Sequence, residues 1–558
     1  MNKEYERWIK EDLEDLDLQE ELQAMAGNEE VIAEHFSKSL SFGTAGLRGI
    51  LGVGTNRMNR FVVRQTTQGL ANYLQTIKGQ KVAISYDTRL KSWDFAKDVA
   101  LVLASNHIHV YLYDNPMPVP SLSFATRYYH CAAGIMLTAS HNPACYNGYK
   151  VYDASGCQLT DEVAAKVFNE IHKVDIFKDV KRKSFAELVN DGLIKFISDD
   201  CKESFYQSIL AEQVRPESCI KTDLKIVYSP LNGTGLVPLT TILKRIGMKD
   251  IYLVKEQAYP NGYFSTCTYP NPEKAETMSL GISLAKEKEA DLVLETDPDA
   301  DRVGVAMRLK NGEYQLISGN EMGALLLNYL AKAKQEKGVL AKQSIAVRSI
   351  VSSPLADKIA NYFGIEMKHT LTGFKWIGDQ INKLEAKKQT ERFLFGFEES
   401  YGYLAGTYVR DKDAIVAGML ICEMAAYYKS IGSSLAEQLS EIYKKYGYYL
   451  SEVKSYEFAG LKGMQEMEDI MSSLRDKPLK EIGGERVLKV VDYMQETGLP
   501  KANVLSFSLE NDGQLMIRPS GTEPKLKLYL TIVAKNKEDA IVKSKQWLKY
   551  LEKQLKVN

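Results

Sequence analysis

Three carboxylates at alternate positions stand in the stretch Asp297-Pro298-Asp299-Ala300-Asp301-Arg302. So much negative charge in so short a segment repels itself unless something neutralises it. Ligands that are all oxygen favour a hard divalent ion, magnesium or calcium, over zinc. An EF-hand loop is excluded, because Arg302 occupies the place that needs glycine and Arg308 the place that needs a bidentate glutamate. Three protein ligands leave an octahedral magnesium room for waters or phosphate oxygens, and the bland alternative is a solvated acidic turn.

Other stretches carry complementary chemistry. Thr138-Ala139-Ser140-His141-Asn142-Pro143 follows the apolar run at 132–137, so Ser140 falls where a buried strand stops and a hydroxyl can face a crevice. A turn shaped by Ser and Asn side chains is the plain alternative. Arg518-Pro519-Ser520-Gly521-Thr522 gathers a guanidinium, two hydroxyls and a glycine-permitted turn, which suits the oxygens of a phosphate or an ordinary hairpin. Gly396-Phe397-Glu398-Glu399-Ser400 offers acids and a hydroxyl for vicinal sugar hydroxyls, or a helix N-cap. Phe42 to Gly49 is a glycine-dense loop with Arg48 as a possible anion partner. Leu371-Thr372-Gly373-Phe374-Lys375 and Arg410-Asp411-Lys412-Asp413 add cations, although most lysines are plain surface residues.

The elements that must position these residues follow a strand–helix–strand rhythm. A strand at 81–87, a helix near 92–106 and a strand at 109–113 form one parallel α/β unit. A second runs from a strand at 224–228 through a helix at 237–246 to a strand at 251–254, and the strand at 291–294 stops at the acid triplet. A third begins near 321 and its strand at 392–395 stops at the Glu398 loop. Three apolar strands far apart in sequence thus each end at a polar loop. After a helix around 434–446 the pattern changes to strands at 515–517 and 527–533 and a final helix at 537–553, an α+β unit. The expected architecture is α/β: three similar α/β domains with mixed sheets and a C-terminal α+β domain around a central cleft. Boundaries are expected at 1–208, 209–320, 321–435 and 436–558. Tyr5, Trp8, Ile9, Leu13 and Leu16 recur at helical spacing, which predicts one amphipathic helix over the first twenty-odd residues.

Composition narrows the function classes. Across 558 residues, 71 Lys and Arg balance 72 Asp and Glu. That balance gives no general electrostatic case for nucleic acid or an anionic membrane. Seven scattered cysteines without a Cys-x-x-Cys pair predict free thiols in a reducing, cytoplasmic compartment. The most apolar helical stretch, 414–428, is broken by Glu423 and is too short to span a bilayer. No stretch points to an oligomeric state.

Metal loop, phosphate loop, polyol loop and strand-end serine suit phosphoryl transfer to a sugar. In the same order, from Phe42 to about Tyr529, these motifs closely resemble those of the α-D-phosphohexomutase family, and within it the phosphoglucomutases. The resemblance implies that Ser140 is the phosphoserine and completes a Mg2+ shell with Asp297, Asp299 and Asp301. It implies that Arg48 and Arg302 lie near that phosphate and that His141 and Lys150 border the transferring group. Thr372, Gly373, Glu398, Ser400 and Lys412 would contact the substrate, with Lys375 beside Gly373 a further candidate, and Arg518, Ser520, Gly521 and Thr522 would clamp its other phosphate. The implied reaction interconverts glucose 1-phosphate and glucose 6-phosphate, with glucose 1,6-bisphosphate as intermediate and activator and with small-molecule sugar phosphates, not nucleic acid or membrane, as partners. The chain departs from many relatives at Ala144-Cys145-Tyr146, where they often carry glycines, and at 401–407, which looks like a bacterial-type subgroup close to phosphopentomutase-like members. Phosphopentomutase or phosphomannomutase activity, a sugar-bisphosphate synthase or phosphatase, and a non-catalytic sugar-phosphate binder are the competing readings.

Overall fold

The same local device occurs three times: a parallel strand runs out into a loop, and the chain returns as an antiparallel neighbour. Ala133–Leu137 is followed by Tyr146–Asp153, Leu292–Thr296 by Val303–Arg308, and Phe393–Glu398 by Gly402–Leu404. Each return fixes the loop between two strands, so its side chains stay at one sheet end. The computed structural model describes residues 2–42, 46–220, 222–458, 460–519 and 525–557, the side chains of 460 and 461 excepted.

The first sheet has six strands, with Ala133–Leu137, Lys81–Tyr86, His109–Leu112 and Ile194–Phe196 parallel and Tyr146–Asp153 and Leu47–Ile50 antiparallel at one side. The second has five strands and the third four, each again mixed. Their near-continuous apolar strands are covered by helices on both faces, as buried parallel strands require. The last sheet is entirely antiparallel, running from Tyr448–Glu457 through Lys525–Ala534 and Gln514–Pro519 to Glu481–Ile482.

One continuous core serves the second and third sheets. Ile226, Leu294 and Val305 from one and Val347, Phe395 and Phe397 from the other share a cluster built around the helix Ala414–Ser430. That helix is apolar on every side because it is packed on every side. Its carboxylate, Glu423, is fully buried and accepts bonds from Tyr329 Oη at 2.9 Å and from the backbone N–H groups of Val214 at 3.1 Å and Arg215 at 3.0 Å. No single helix among the described residues is long and apolar enough to cross a membrane. The last domain has its own core around Trp547, Leu528 and Phe507, and meets the third through a small cluster of Ile350, Val351 and Leu371 against Val504, Met516 and Tyr529.

The N-terminal expectation needs correction. The segment forms separate helices, Lys3–Ile9 and Leu16–Ala24, because only Tyr5, Trp8 and Leu13 of the periodic set are buried, whereas Ile9 is 53% and Leu16 70% exposed. Trp8 anchors the arm by packing edge-on against Phe36, Phe61 and Phe177.

Candidate active site

Asp297 begins the site by closing its own loop. Its Oδ1 accepts from the backbone N–H groups of Asp301 and Arg302, both at 3.1 Å, while Ala300 takes a left-handed φ of 46°. The turn brings Asp297, Asp299 and Asp301 together, all fully buried, with ligand oxygens within 4.8 Å of one another. This is the cluster of potential metal ligands found among the described residues. Asp299 Oδ1 and Asp301 Oδ1 are buried without a hydrogen-bond partner, as a donor set awaiting a cation would be. The three acids fit a hard divalent ion.

Ser140 meets this triplet from the first domain. It sits just past Ala133–Leu137, held at φ 51°, with its N–H donating to Thr138 Oγ1 at 2.8 Å. Its Oγ donates to Asp297 Oδ2 at 3.0 Å and lies 3.1 Å from His141 Nδ1. Thr138 Oγ1 donates to Asp299 Oδ2 at 3.2 Å, so the two loops are stitched together twice. Lys150, on the returning strand, donates to the same Asp299 oxygen at 2.8 Å, and Lys412 from the third domain lies 2.6 Å from Asp301 Oδ2.

Electrostatics follow from burial and these contacts. Burial, then the charges of Asp299 and Asp301, pushes the Asp297 carboxyl well above the usual carboxylate range. Burial also opposes charge on Asp299, but the Lys150 ammonium outweighs it and holds that carboxyl below its ordinary value. Burial, with Arg302 and Arg48 close by, drives the His141 imidazole well below its ordinary range and keeps it neutral.

Arg302 is anchored by a 2.7 Å bond from Nη1 to Glu273 Oε1. Arg48 donates to Asn142 Oδ1 of the serine loop at 3.1 Å. Gly46 before it must come close, since a Cβ there, at φ 77°, would lie 1.8 Å from Tyr149 O, while residues 43–45 of the glycine loop lie outside the described residues.

In the third domain, Glu398 ends its strand and accepts the Gly373 N–H at 2.6 Å, which joins two of the expected sugar-contact segments. Burial and the neighbouring Glu399 charge raise the Glu398 carboxyl to about 7, against the pull of Lys412 and Arg302. Thr372 and Ser400 flank this pair, both half-buried. Arg518 stands on the strand Gln514–Pro519 of the last domain. Burial and Glu399 push the Tyr529 hydroxyl up to about 12 while Arg518 beside it pulls the other way.

Lys375, two residues after Gly373, is engaged elsewhere through its ammonium. Its Nζ donates to Asp161 Oδ1 at 2.7 Å and lies 4.9 Å from the Trp376 ring, forming a tie between the first and third domains. Ser520, Gly521 and Thr522 lie outside the described residues. Residues not singled out from sequence include Thr138 and Glu273. Thr138 carried a readable signal, being two positions before Ser140 in the same strand-end loop. Glu273 carried none, because its role is to hold Arg302 from a distant segment.

Three α/β units whose strand-end loops meet, with a serine on one and an acid triplet on the next, suit a mutase of phosphorylated sugars. The chain belongs to the phosphoglucomutase/phosphomannomutase family, and the alpha/beta/alpha domains I, II and III of that family match residues 39–176, 203–310 and 318–446. It is an isomerase of the phosphotransferase mutase type. Among its relatives is a phosphoglucomutase of Staphylococcus epidermidis, 38% identical over an alignment of 533 residues that covers 92% of this chain and 95% of the relative. In fold it is similar to parafusin, a phosphoglucomutase of Paramecium solved in an open form, with a TM-score of 0.71, 16% identity, and coverage of 93% of this chain and 95% of that one. A phosphoglucomutase/phosphomannomutase family protein of Burkholderia thailandensis is similar too, with a TM-score of 0.69, 17% identity, and coverage of 93% and 98%.

Proposed function

We propose that this enzyme interconverts glucose 1-phosphate and glucose 6-phosphate, carrying the phosphoryl group on Ser140 and passing through bound glucose 1,6-bisphosphate, which also serves as activator. The reading is carried by one contact: Ser140 Oγ is 3.0 Å from Asp297 Oδ2, so the candidate carrier hydroxyl and the acid triplet form one site. Asp297, Asp299 and Asp301, with Ser140, would hold Mg2+, whose charge offsets that of the phosphoryl oxygens during transfer.

The chain's own residues supply the rest. Transfer from phosphorylated Ser140 breaks the Oγ–P bond, forms a bond from phosphorus to a sugar hydroxyl oxygen, and frees that hydroxyl's proton. That proton balances the step by ending on the freed Ser140 Oγ, and His141, with Nδ1 3.1 Å from Oγ, borders its path. Lys150 and Lys412, already charged partners of the triplet, suit neutralisation of developing oxygen charge. Arg48 and Arg302 border the same phosphoryl group. Glu398, Gly373, Thr372 and Ser400 suit the sugar hydroxyls, and Arg518 with Ser520, Gly521 and Thr522 the second phosphate. That clamp must accept either phosphate of a reoriented bisphosphate, so it should recognise the anion and not the carbon bearing it.

Lys375 is the weakest member of the proposed set, given its bond to Asp161. The seven cysteines are free, in keeping with a reducing cytoplasmic location. The test is to incubate the protein with bisphosphate labelled in its phosphoryl groups and map the label. Label on Ser140 that chases into both monophosphates supports the reading; isomerisation by an unlabelled enzyme overturns it.

A further inference from the structure

Arg89 lies at the base of the serine loop, with its side chain completely buried. Nη2 donates to the carbonyls of Ser140 at 2.6 Å and Asn142 at 2.5 Å, and Nη1 to those of Pro143 at 2.8 Å and Tyr146 at 3.1 Å. Nε faces Asp87 Oδ2 at 3.3 Å. The loop is therefore wrapped round one guanidinium, whose two terminal nitrogens donate to four loop carbonyls while Nε is only an ion-pair neighbour of Asp87, without a hydrogen bond. Asp87 is itself fixed, since its Oδ1 accepts from Arg89 N–H at 2.9 Å and Ser92 Oγ at 2.7 Å. The Phe264 ring of the second domain covers the guanidinium, with its centroid 4.9 Å away.

We infer that Arg89 is a positioning residue for Ser140, one that sets where the hydroxyl points without touching substrate. The inference rests on Ser140 as the phosphoryl carrier. Ser140 holds a left-handed φ that non-glycine residues avoid, and its carbonyl must be tied down for that conformation to persist. Arg89 supplies the tie, and through it fixes Oγ against Asp297. Lysine cannot replace it, because three donors on one point charge do not reproduce a planar fork aimed at four carbonyls. Small displacement of a reacting atom is costly, about 100-fold in rate for 1 Å.

The test compares Arg89→Lys with the full-length wild type, with turnover expressed per serine labelled from glucose 1,6-bisphosphate. The matched control is Arg64→Lys, another buried guanidinium, whose bonds go to Glu14 and Asp98. Arg89→Lys is expected to lose about 30-fold to 100-fold in kcat per labelled site, with KM for glucose 1-phosphate unchanged within about twofold. The control should keep its kcat per labelled site even if less protein folds. Equal kcat per labelled site in Arg89→Lys and wild type overturns the inference. If Arg89→Lys does not fold, Asp87→Asn takes its place, with the same kcat loss at constant KM expected in smaller degree. Failure of both variants to fold assigns the clamp to stability alone and also overturns it. Absence of label from wild-type Ser140 would instead count against the carrier role itself.

Discussion

Lys412 Nζ stands 2.6 Å from Asp301 Oδ2, so a cation of the third domain rests on a carboxylate of the second. Lys150 does the same to Asp299 from the first domain. Three domains thus meet at one acid triplet, and charge balance there links them.

Replacing Ser140 by Ala should reduce mutase turnover by about four orders of magnitude or more, as loss of a covalent nucleophile does. A coupled assay for glucose 6-phosphate checks it. Isomerisation at near-wild-type rate in that variant would remove the serine from the mechanism.

Asp299→Asn and Asp301→Asn should each abolish the response to magnesium. In the wild type, magnesium at one hundred times its dissociation constant should stabilise the fold by about 2.7 kcal/mol, visible as a rise in Tm that EDTA reverses. Neither variant should show that rise. A Tm response equal to wild type in both would place the ion elsewhere.

Glu398 predicts two opposite pH trends. As a hydroxyl acceptor it must be ionised, so kcat/KM for glucose 1-phosphate should fall as pH drops below about 7, and Glu398→Gln should be weak and lack that limb. For stability the sign reverses. The folded state keeps this proton up to about 7 while the unfolded chain releases it near 4.5, so this group makes stability fall as pH rises through that window. Tm measured from pH 4.5 to 7 should show a shallower decline, or a steeper rise, in Glu398→Gln than in wild type.

Lys375→Met should change KM for glucose 1-phosphate by less than about twofold, because the ammonium is engaged with Asp161. The lost tie should cost no more than about 1 kcal/mol, as partly exposed ion pairs do. A tenfold rise in KM would return Lys375 to the sugar site.

Turnover of glucose 1-phosphate should exceed that of mannose 1-phosphate and ribose 1-phosphate. Parallel initial rates with the three substrates check this, and faster turnover of ribose 1-phosphate would favour the pentose reading.

Much of this site was legible because its chemistry is written locally. The alternate aspartates and the strand-end Ser140 announce themselves within a few residues, and the periodic apolar strands say where sheets must lie. Arg89 was not legible, since its partners are loop carbonyls contributed by residues near 140–146 and carbonyls have no sequence signature. Lys375 was assigned from proximity to Gly373, but a lysine follows the nearest acid, and the fold brings Asp161 to it. The N-terminal helix failed for a related reason: spacing survives a break that only the burial of Trp8 beside exposed Ile9 reveals. Glu423 looked like an interruption of an apolar stretch, and the fold uses it to bind two backbone N–H groups and a tyrosine.

The division of the cores bears on how such enzymes diversify. The second and third domains cannot be exchanged separately, because the helix Ala414–Ser430 is interior to both. The last domain, with a core of its own and a modest seam at Tyr529, is the natural unit of recombination. A chimera that takes only this segment from a relative should inherit the donor's grip on the distal phosphate while leaving the acid triplet of the recipient intact.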